Sequence, residues 1–377
     1  MYDAIIVGAR CAGSPLAMLL AREGFKVLLV DRGTFPSDIM STHYIQPQGV
    51  QLLREWGLLD SVLATGCPPL PELARVIAGQ ETPEDFRETI GPQHFAVCPR
   101  RTVLDKVLVD AAVGAGAELR EGVTVHDVIR DAAGVVTGVS GRDASGAAFS
   151  EAARITVGAD GLHSRIARLV GPEEYSRVES LGFGYYSYFS NVPVTRAEFH
   201  LRPGTGAAFV FPTNDGKVCL AGMRRESYFD EFRRDIDGAF VAFMNEMGAG
   251  LGDLVQAAQR DERWQGAADL PHYFRKPYGP GWALAGDAGL HLDPTLGRGI
   301  WKAFSEVSLL APRLVEGLAG RRPMEEALSQ FHLERDEAWI GETRNNLMVA
   351  AMIAGVAPPE VHTWQELHRS PEATAAE

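Results

Sequence analysis

"YDAIIVGARCAGSPLAMLL", residues 2–20, joins a short apolar run to an amphipathic pattern through a turn that contains glycine. The periodicity predicts a buried strand at 4–7 and a helix at 13–23, and "KVLLVDR" at 26–32 predicts a second strand. A strand, a helix and a second strand in this order form a βαβ unit, which is the building block of parallel sheets. The opening residues therefore indicate an α/β protein.

The turn differs from the usual GxGxxG dinucleotide fingerprint at one position. Gly8 and Gly13 stand where glycine permits the tight turn and the close packing of helix on strand, but Arg10 replaces the middle glycine. An L-residue with negative φ can stand there if its side chain points away, and its cation adds to an anion site at the helix N-terminus. Asp31 lies 18 residues after Gly13, where a carboxylate accepts hydrogen bonds from a ribose. The unit predicts a nucleotide with an unphosphorylated adenosine ribose, such as FAD or NAD.

Two later segments repeat the pattern of a strand, a turn and a helix. "ITVGADGLHSRIARLVG", 155–171, places Asp160 in a turn before a helix that begins near Ser164. "GWALAGDAGLHLDPTLGRGIWKAFSEVSLLA", 281–311, places Asp287 after a strand and before a long helix from about Ile300. The carboxyl ends of parallel strands are where such sheets bind ligands, so both aspartates are candidate binding residues.

Together with "CPRRTVLDKVLVDAAVGAGAELREG" at 98–122, these segments resemble the FAD-binding fingerprint, the Asp-Gly motif and the Gly-Asp motif of the p-hydroxybenzoate hydroxylase-like flavoproteins, the single-component FAD-dependent monooxygenases. The resemblance covers most of residues 1–330. It implies an α/β fold in which a Rossmann-like FAD-binding domain carries an inserted antiparallel β-sheet substrate domain, followed by C-terminal helices. We expect an FAD-binding domain at 1–70, 97–178 and 270–330, a substrate domain at 71–96 and 179–269, and a C-terminal helical segment at 331–370.

The resemblance also implies a set of cofactor contacts. It assigns Arg101 to the flavin dinucleotide, Asp287 to the ribityl chain and pyrophosphate, and the turn at 297–300 to the pyrimidine edge of the flavin. Asp160 has an alternative role as an ordinary cap of the helix that follows it. Many family members have histidine three residues after the acid of the Gly-Asp motif, where this chain has Leu290. The expected FAD-binding residues are Gly8, Arg10, Gly13, Asp31, Arg32, Arg101, Asp160, Asp287, Gly297 and Gly299.

Alternating stretches between 182 and 223, separated by turn residues, predict antiparallel strands, which in the family cover the flavin ring and carry the substrate pocket. The period of two puts Phe183 and Tyr185 on one face of their strand, and Tyr186 and Tyr188 on the other. Phe209 and Phe211 share a face of a neighbouring strand. Packing within the sheet is the alternative role for each aromatic. The expected substrate contacts are Phe183, Tyr185, Phe209 and Phe211.

Two further residues are candidates for catalysis. His43, in "MSTHYIQPQG" at 40–49, falls in the segment that in the family passes beside the isoalloxazine ring. A histidine there can act as a base or bind substrate, although a packed or surface histidine is the alternative. Pro294 belongs to the Gly-Asp motif and lies in the turn before its helix.

The resemblance implies an FAD-dependent monooxygenase that uses NAD(P)H and O2 to hydroxylate or epoxidise an electron-rich, aromatic or polyketide-like molecule through a flavin C4a-hydroperoxide. No second strand-GxGxxG-helix unit is present in the sequence, so we expect transient binding of the nicotinamide. A flavin-dependent halogenase is one alternative, but its WxWxIP motif is missing. A prenyl-lipid saturating reductase is another, and "FVFP" at 209–212 echoes its sheet motif without the tryptophan. A flavin-binding chaperone or sensor is the alternative outside catalysis.

Composition argues against several other classes of function. The 377-residue chain carries a net charge of -13 without a Lys/Arg run, so we expect no nucleic-acid partner. Its four cysteines form no CxxC pair and its histidines no HExxH motif, so we expect no metal. The N-terminus does not resemble a signal peptide, and no apolar segment approaches the roughly 18 residues of a membrane span. We therefore expect a cytoplasmic protein without a membrane partner that acts on a small molecule.

Overall fold

The computed structural model describes residues 1–41 and 43–360. Its strands are β1 Tyr2–Val7, β2 Val27–Val30, β3 Pro69–Leu70, β4 Glu72–Ile77, β5 Gln80–Asp85, β6 Ala96–Val97, β7 Glu118–Arg120, β8 Thr124–Arg130, β9 Val136–Arg142, β10 Ala148–Gly158, β11 Glu174–Val178, β12 Gly182–Ser190, β13 Ala197–Arg202, β14 Gly206–Pro212, β15 Val218–Arg225, β16 Gln259–Arg260, β17 Gln265–Ala267, β18 His272–Arg275, β19 Tyr278–Gly279, β20 Trp282–Leu284 and β21 Leu290–His291. Its α-helices are α1 Gly13–Arg22, α2 Pro47–Glu55, α3 Leu59–Leu63, α4 Phe86–Thr89, α5 Arg101–Gly114, α6 Arg165–Val170, α7 Phe229–Phe232, α8 Ile236–Met247, α9 Leu251–Ala257, α10 Gly299–Leu318 and α11 Met324–Ala354.

The first part of the fold is built around a parallel sheet, and other elements pack on both of its faces. Strand β1 lies between β10 and β2, with β20 beyond β10 and β7 beyond β2, and all these pairs are parallel. Ile6 and Leu29 face α1, α5 and α10, whereas Ile5 and Leu28 face β8, β9 and α6. Because both faces are covered, the paired stretches at 4–7 and 27–30 are apolar throughout rather than alternating. The predicted α/β fold and its opening βαβ unit are confirmed.

The turn after β1 leaves no room for side chains at two of its glycines. Gly8 has a φ of +104°, and a Cβ built there would lie 2.3 Å from the carbonyl oxygen of Ala159, after β10. A Cβ on Gly13 would lie 1.7 Å from the carbonyl oxygen of Gly8. Both distances are far below van der Waals contact. The end of β1, the start of α1 and the end of β10 can therefore meet only as bare backbone.

The second large sheet runs in the order β16-β12-β15-β14-β13-β4-β5, with β17 also paired to β12. Its pairs are antiparallel except for β13 and β4. Tyr186 and Tyr188 face Tyr44 and the end of α11, whereas Phe183 faces the layer of α7, α8 and α9. The alternation predicted for this strand is therefore confirmed, and the inserted antiparallel sheet is present.

Strands β4 and β5 lie in an excursion, a segment that begins after β3, joins the second sheet and ends at β6. The short strands β3 and β6 pair with each other, so the chain leaves and returns at one place. Between these points, β4 pairs in parallel with β13 and extends the second sheet. The excursion falls within the predicted segment 71–96, while the exact domain boundaries stay a prediction.

Two long helices complete the described chain. Helix α10 packs against α11, and the rings of Trp301 and Trp339 meet with centroids 4.9 Å apart. The predicted helical C-terminal region is confirmed, although α11 begins at Met324 and ends at Ala354 rather than spanning 331–370. The remainder of that segment, from residue 361 and including Trp364, lies outside the described residues. Within residues 1–41 and 43–360, no helix combines the length and apolarity needed to cross a bilayer.

Replacing Gly13 by alanine is predicted to destabilise the fold, because the added methyl group would overlap the Gly8 carbonyl. We expect the free energy of unfolding to fall by about 1–3 kcal/mol or more, the usual cost of overpacking. Gly114 in α5 is the matched control, since a Cβ there meets no atom within 4 Å. Gly114→Ala should be as stable as the parent or more so. Urea unfolding followed by circular dichroism measures both, and equal stabilities would contradict this account of the turn.

Candidate functional site

A cleft of about 910 Å3 lies between the carboxyl ends of the parallel strands and the second sheet. This volume is near the upper end for pockets that hold cofactors or substrates. The first wall comes from the turns after β1, β2, β10 and β20 and from the start of α10, and the second from β12, β15 and β17. The predicted site residues that line it are Gly8, Arg10, Asp31, Arg32, His43, Arg101, Asp160, Tyr185, Asp287, Pro294, Gly297 and Gly299.

Three of the four aromatics expected to contact substrate lie elsewhere. Phe183 is buried beneath α7, with its ring centroid 5.3 Å from that of Phe229. Phe209 and Phe211 are buried in the aromatic cluster around Phe199. All three lie outside the lining of the cleft, because packing inside the sheet takes up their rings. Tyr185 borders the cleft, although its ring stacks on that of Phe232. Tyr186, from the other face of the strand, also lines the cleft, with Ala221, Gly222 and Met223, which the sequence did not single out.

Arg10 and Arg101 share one buried carboxylate. Arg10 donates from Nη1 to Asp105 Oδ2 at 2.6 Å, and Arg101 donates from Nε to Oδ1 at 3.0 Å. Arg10 also donates to Ser37 Oγ at 3.0 Å, and its backbone stays out of the positive-φ region. Its side chain thus turns towards α5, which is how an arginine fits at the position of the middle glycine. Two cations on one anion leave an excess positive charge beside the glycine turn.

Asp31 connects the glycine turn to the loop after β2. Its Oδ2 accepts the Ala9 N–H at 2.7 Å and its Oδ1 accepts the Gly33 N–H at 2.7 Å. A carboxylate oxygen has a second lone pair, so these bonds leave acceptor capacity towards the cleft. Arg32, the next residue, is exposed at the rim.

Asp160 combines the two roles that the sequence left open. Its Oδ1 accepts from Ser164 Oγ at 2.5 Å, and its Oδ2 accepts from the Arg165 amide at 2.6 Å, so it caps α6. It also lines the cleft, where burial raises the pKa of its carboxyl group. A basic rim of arginine and histidine side chains also lines the cleft. Apart from Arg32, the sequence analysis missed it, although the spacing within "HSRIARL" carries part of the signal. The rim residues are Arg32, His126, His163, Arg165 and Arg168.

The Gly-Asp turn is fixed from behind by α10. The Gly286 N–H donates to Glu306 Oε2 at 2.7 Å, and Lys302 Nζ donates to Asp287 Oδ1 at 2.8 Å. Burial raises the pKa of Glu306 to about 7. For Asp287, burial acts to raise the pKa, but the attraction of Lys302 and other cations outweighs it and the pKa lies below its ordinary value. The sequence analysis missed Lys302 and Glu306. Their signal in the sequence is two charged residues four positions apart on an otherwise apolar face of α10.

Helix α10 presents its N-terminus to the cleft. It begins at Gly299, one residue before the predicted start, and Gly297 precedes it with a φ of +61°. A Cβ on Gly299 would meet no atom within 4 Å, so the backbone opens directly to the cleft. The unpaired N–H groups of the first turn and the helix dipole favour a negative charge at this place.

His43 is fully buried and held in an uncommon backbone conformation. Its φ is +64°, and its Nε2 shares a hydrogen bond with the hydroxyl of Tyr188. Burial lowers the pKa of the ring well below its ordinary value, so the imidazole is neutral at physiological pH. Its Nδ1 has no hydrogen-bond partner among the described residues. The guanidinium carbon of Arg100 lies 4.3 Å from the centre of the Tyr188 ring, so the two side chains make a cation–π contact.

Packing explains why leucine stands at position 290, where many family members have histidine. Leu290 is fully buried in a cluster with Phe274 and Trp339, so it faces away from the cleft. The next residue, His291, lines the cleft, and its Nδ1 bonds the Pro271 carbonyl. Among residues 1–41 and 43–360, no group of His, Cys, Asp or Glu side chains is arranged to hold a metal ion.

Comparison with known proteins agrees with this geometry. A family model described as an FAD binding domain matches residues 1–340. The chain is 24% identical to a digeranylgeranylglycerophospholipid reductase of Methanocella arvoryzae, over 94% of this chain and 88% of that protein. It is 25% identical to a rifampicin monooxygenase of Streptomyces venezuelae, over 89% of this chain and 68% of that protein.

A solved structure shares the fold. The myxobacterial chondrochloren halogenase CndH superposes with a TM-score of 0.84 at 20% identity, covering 100% of this chain and 88% of that one. Monooxygenases, halogenases and reductases thus share this architecture. Because the FAD-binding match spans residues 1–340 of 377, the chain belongs to the FAD-binding domain family and is an FAD-dependent oxidoreductase.

Proposed function

We propose that this flavoenzyme is a monooxygenase that uses NAD(P)H and O2 to hydroxylate or epoxidise an electron-rich, aromatic or polyketide-like small molecule. The observation that carries the proposal is the second wall of the cleft. Tyr186 and Met223 line it, and no lysine is among the described residues that do so. An apolar, aromatic wall favours a flat, apolar substrate. A rifampicin monooxygenase among the relatives supports the same class of reaction.

The residues of the first wall fit an FAD molecule. In the proposed arrangement, Asp31 accepts from the adenosine ribose, and the glycine turn with the N-terminus of α1 holds the pyrophosphate. The excess positive charge of Arg10 and Arg101 on Asp105 supports this placement of an anion. Asp287 and the N-terminus of α10 follow along the same wall, towards the ribityl chain and the flavin.

Bound FAD supplies the redox and oxygen-activating chemistry, and the protein supplies orientation, charge and exclusion of water. With FAD bound, the N-terminus of α10 would stabilise a negative charge on the flavin. The second sheet covers the part of the cleft where the reaction is proposed to take place. Tyr186 and Met223 exclude water from this part. Pro294 stands in the turn before α10 and holds the shape of the wall.

His43 is the proposed contact to a substrate oxygen. When Tyr188 donates its hydroxyl proton to Nε2, the neutral ring carries its own proton on Nδ1. Nδ1 has no partner among the described residues and His43 borders the cleft, so this N–H is the proposed donor to a substrate oxygen. A buried donor without a partner is costly, so a ligand oxygen at this position gains affinity.

The basic rim supports transient binding of the nicotinamide dinucleotide. Arg32, Arg165 and Arg168 are exposed beside the cleft, where they increase the local concentration of an anionic cosubstrate. Such surface contacts are screened by salt, which suits a molecule that must arrive and leave in each turnover.

Two other reactions, halogenation and the reduction of lipids, are competing proposals because a halogenase and a lipid reductase are similar to this chain. In the family, halogenases place a lysine between flavin and substrate, whereas the described lining of this cleft contains none. For the lipid reductases, the partial sheet motif "FVFP" lacks tryptophan, and its two phenylalanines are packed away from the cleft. Both observations favour oxygen transfer.

The reaction itself is tested with labelled O2, NAD(P)H, chloride and a panel of flat aromatic compounds. We expect a product that gains one oxygen atom carrying the label, detected by mass spectrometry. The control repeats the reaction with labelled water and unlabelled O2, which should give an unlabelled product. Incorporated chlorine would favour a halogenase, and two added hydrogens a reductase. NAD(P)H oxidation that no compound stimulates would favour a binding protein without turnover.

Replacing Asp31 by alanine tests the cofactor placement. The variant loses the proposed acceptor for the ribose hydroxyls, and losing hydrogen bonds to a charged group costs about 1.5–3 kcal/mol, roughly ten- to hundredfold in affinity. Asp31→Glu should weaken binding less, because it keeps the carboxylate. Asp38→Ala, an exposed acid outside the lining, controls for net charge. Flavin fluorescence titration gives the Kd for FAD, and equal values for Asp31→Ala and Asp38→Ala would contradict the placement.

A further inference from the structure

Lys302 is a charged residue in the interior of the protein. It lies in the first turns of α10, and its side chain has 0% exposure. Its Nζ donates to Asp287 Oδ1 at 2.8 Å and to the Leu290 carbonyl, and lies 3.8 Å from Glu306 Oε1. A buried ammonium is costly unless it is paired and hydrogen-bonded. Among the described residues, its hydrogen bonds and ion pairs are with Asp287 of the Gly-Asp turn, Leu290 of β21 and Glu306 of α10, so its charge supports this turn.

Asp287 stands between this lysine and the cleft. Its side chain is 39% exposed and lines the cleft, while its Oδ1 is bound from behind by Lys302. The turn is fixed at two more points, since Glu306 binds the Gly286 N–H and Tyr273 donates its hydroxyl to the Asp287 carbonyl at 2.5 Å. The carboxylate is thus held in one orientation at the surface of the cleft.

A negative carboxylate and a negative dinucleotide repel each other when they share a wall. We propose that Lys302 is a positioning residue for FAD: it aims the Asp287 carboxylate and neutralises its charge, so that the anionic dinucleotide can lie against it. This inference rests on the proposed placement of FAD along the first wall. Lys302 does not reach the cleft, so it acts through Asp287 and not by contact.

The charged groups around Asp287 determine what removal of the lysine does. Lys302 and Glu306 face it from α10, His291 from β21 and Arg101 from α5, and Arg335 of α11 acts on Glu306. Burial acts to raise the pKa of Asp287, and Lys302 is the strongest opposing influence. Removing Lys302 therefore raises the pKa of Asp287 relative to the parent and leaves its carboxylate without an ion-pair partner beside the cleft.

Lys302→Met keeps the length of the side chain and removes its charge. Flavin fluorescence titration gives the Kd for FAD of the parent and the variant from pH 5.5 to 8.5. We expect the variant to bind roughly ten- to hundredfold more weakly than the parent at the highest pH, where repulsion is unrelieved. The difference should shrink towards the lowest pH, because a larger fraction of Asp287 is protonated there. A loss of affinity that Asp287→Asn does not relieve indicates a merely structural role and overturns the proposal.

Asp287→Asn in the Lys302→Met background identifies the titrating group. With no charge left at position 287, the double variant should bind FAD with the pH profile of the parent. A pH dependence that persists would come from Glu306, which also loses its lysine, and would overturn the proposal. Lys106→Met, which removes an exposed lysine of α5 paired with Asp110, is the control for net charge. It should bind FAD as the parent does.

Lys302→Gln is the second variant in case the methionine variant does not fold. It retains a hydrogen-bond donor for the turn without the charge, so it should show the same weakening at high pH. A glutamine variant with the profile of the parent would mean that a hydrogen bond suffices and the charge is irrelevant. A parent protein that fails to bind FAD at all would instead refute the proposed function. The two failures are therefore distinguishable.

Discussion

The backbone crossing at Gly8 and Gly13 is the constraint on which the rest of the molecule depends. A Cβ at either position would overlap a carbonyl oxygen, that of Ala159 or of Gly8. Bare backbone lets α1 begin directly against β1 and β10, so the carboxyl ends of the parallel strands stay close together. The cleft forms at those ends, and the same bare turn allows an anionic ligand to approach the N–H groups of α1.

The carboxylates of the site are a second constraint, because each needs hydrogen-bond donors. Each carboxylate on the first wall is bound by protein donors: Asp31 by two backbone amides, Asp160 by the start of α6, and Asp287 by Lys302. Asp105, behind the wall, binds two arginines. Carboxylates left unpaired would repel an anionic dinucleotide and would gain protons on burial. These donors hold the carboxylates in fixed orientations, which gives the wall directional acceptors.

The proteins similar to this chain include monooxygenases, halogenases and reductases, so the FAD-binding fold alone does not determine the reaction. The first wall is built from the turns that we propose hold FAD, and the FAD-binding domain match over residues 1–340 includes both walls. The second wall is a sheet surface, where a change of one side chain alters the pocket without disturbing the strands. In this chain that surface carries Tyr186 and Met223 and no lysine among its described lining residues.

The sequence by itself determined the βαβ unit, the turns with Asp31, Asp160 and Asp287, and the alternation within β12. These features depend on local periodicity and on backbone conformations that glycine permits, and both are readable over a few residues. Only the tertiary structure decided that Phe183, Phe209 and Phe211 pack inside the sheet, because the period of two separates the faces without saying what covers each. It also decided that Lys302 supports Asp287 and that Arg10 turns to Asp105, 95 residues away in sequence. Such pairs depend on which elements the fold brings together, and no local pattern encodes that.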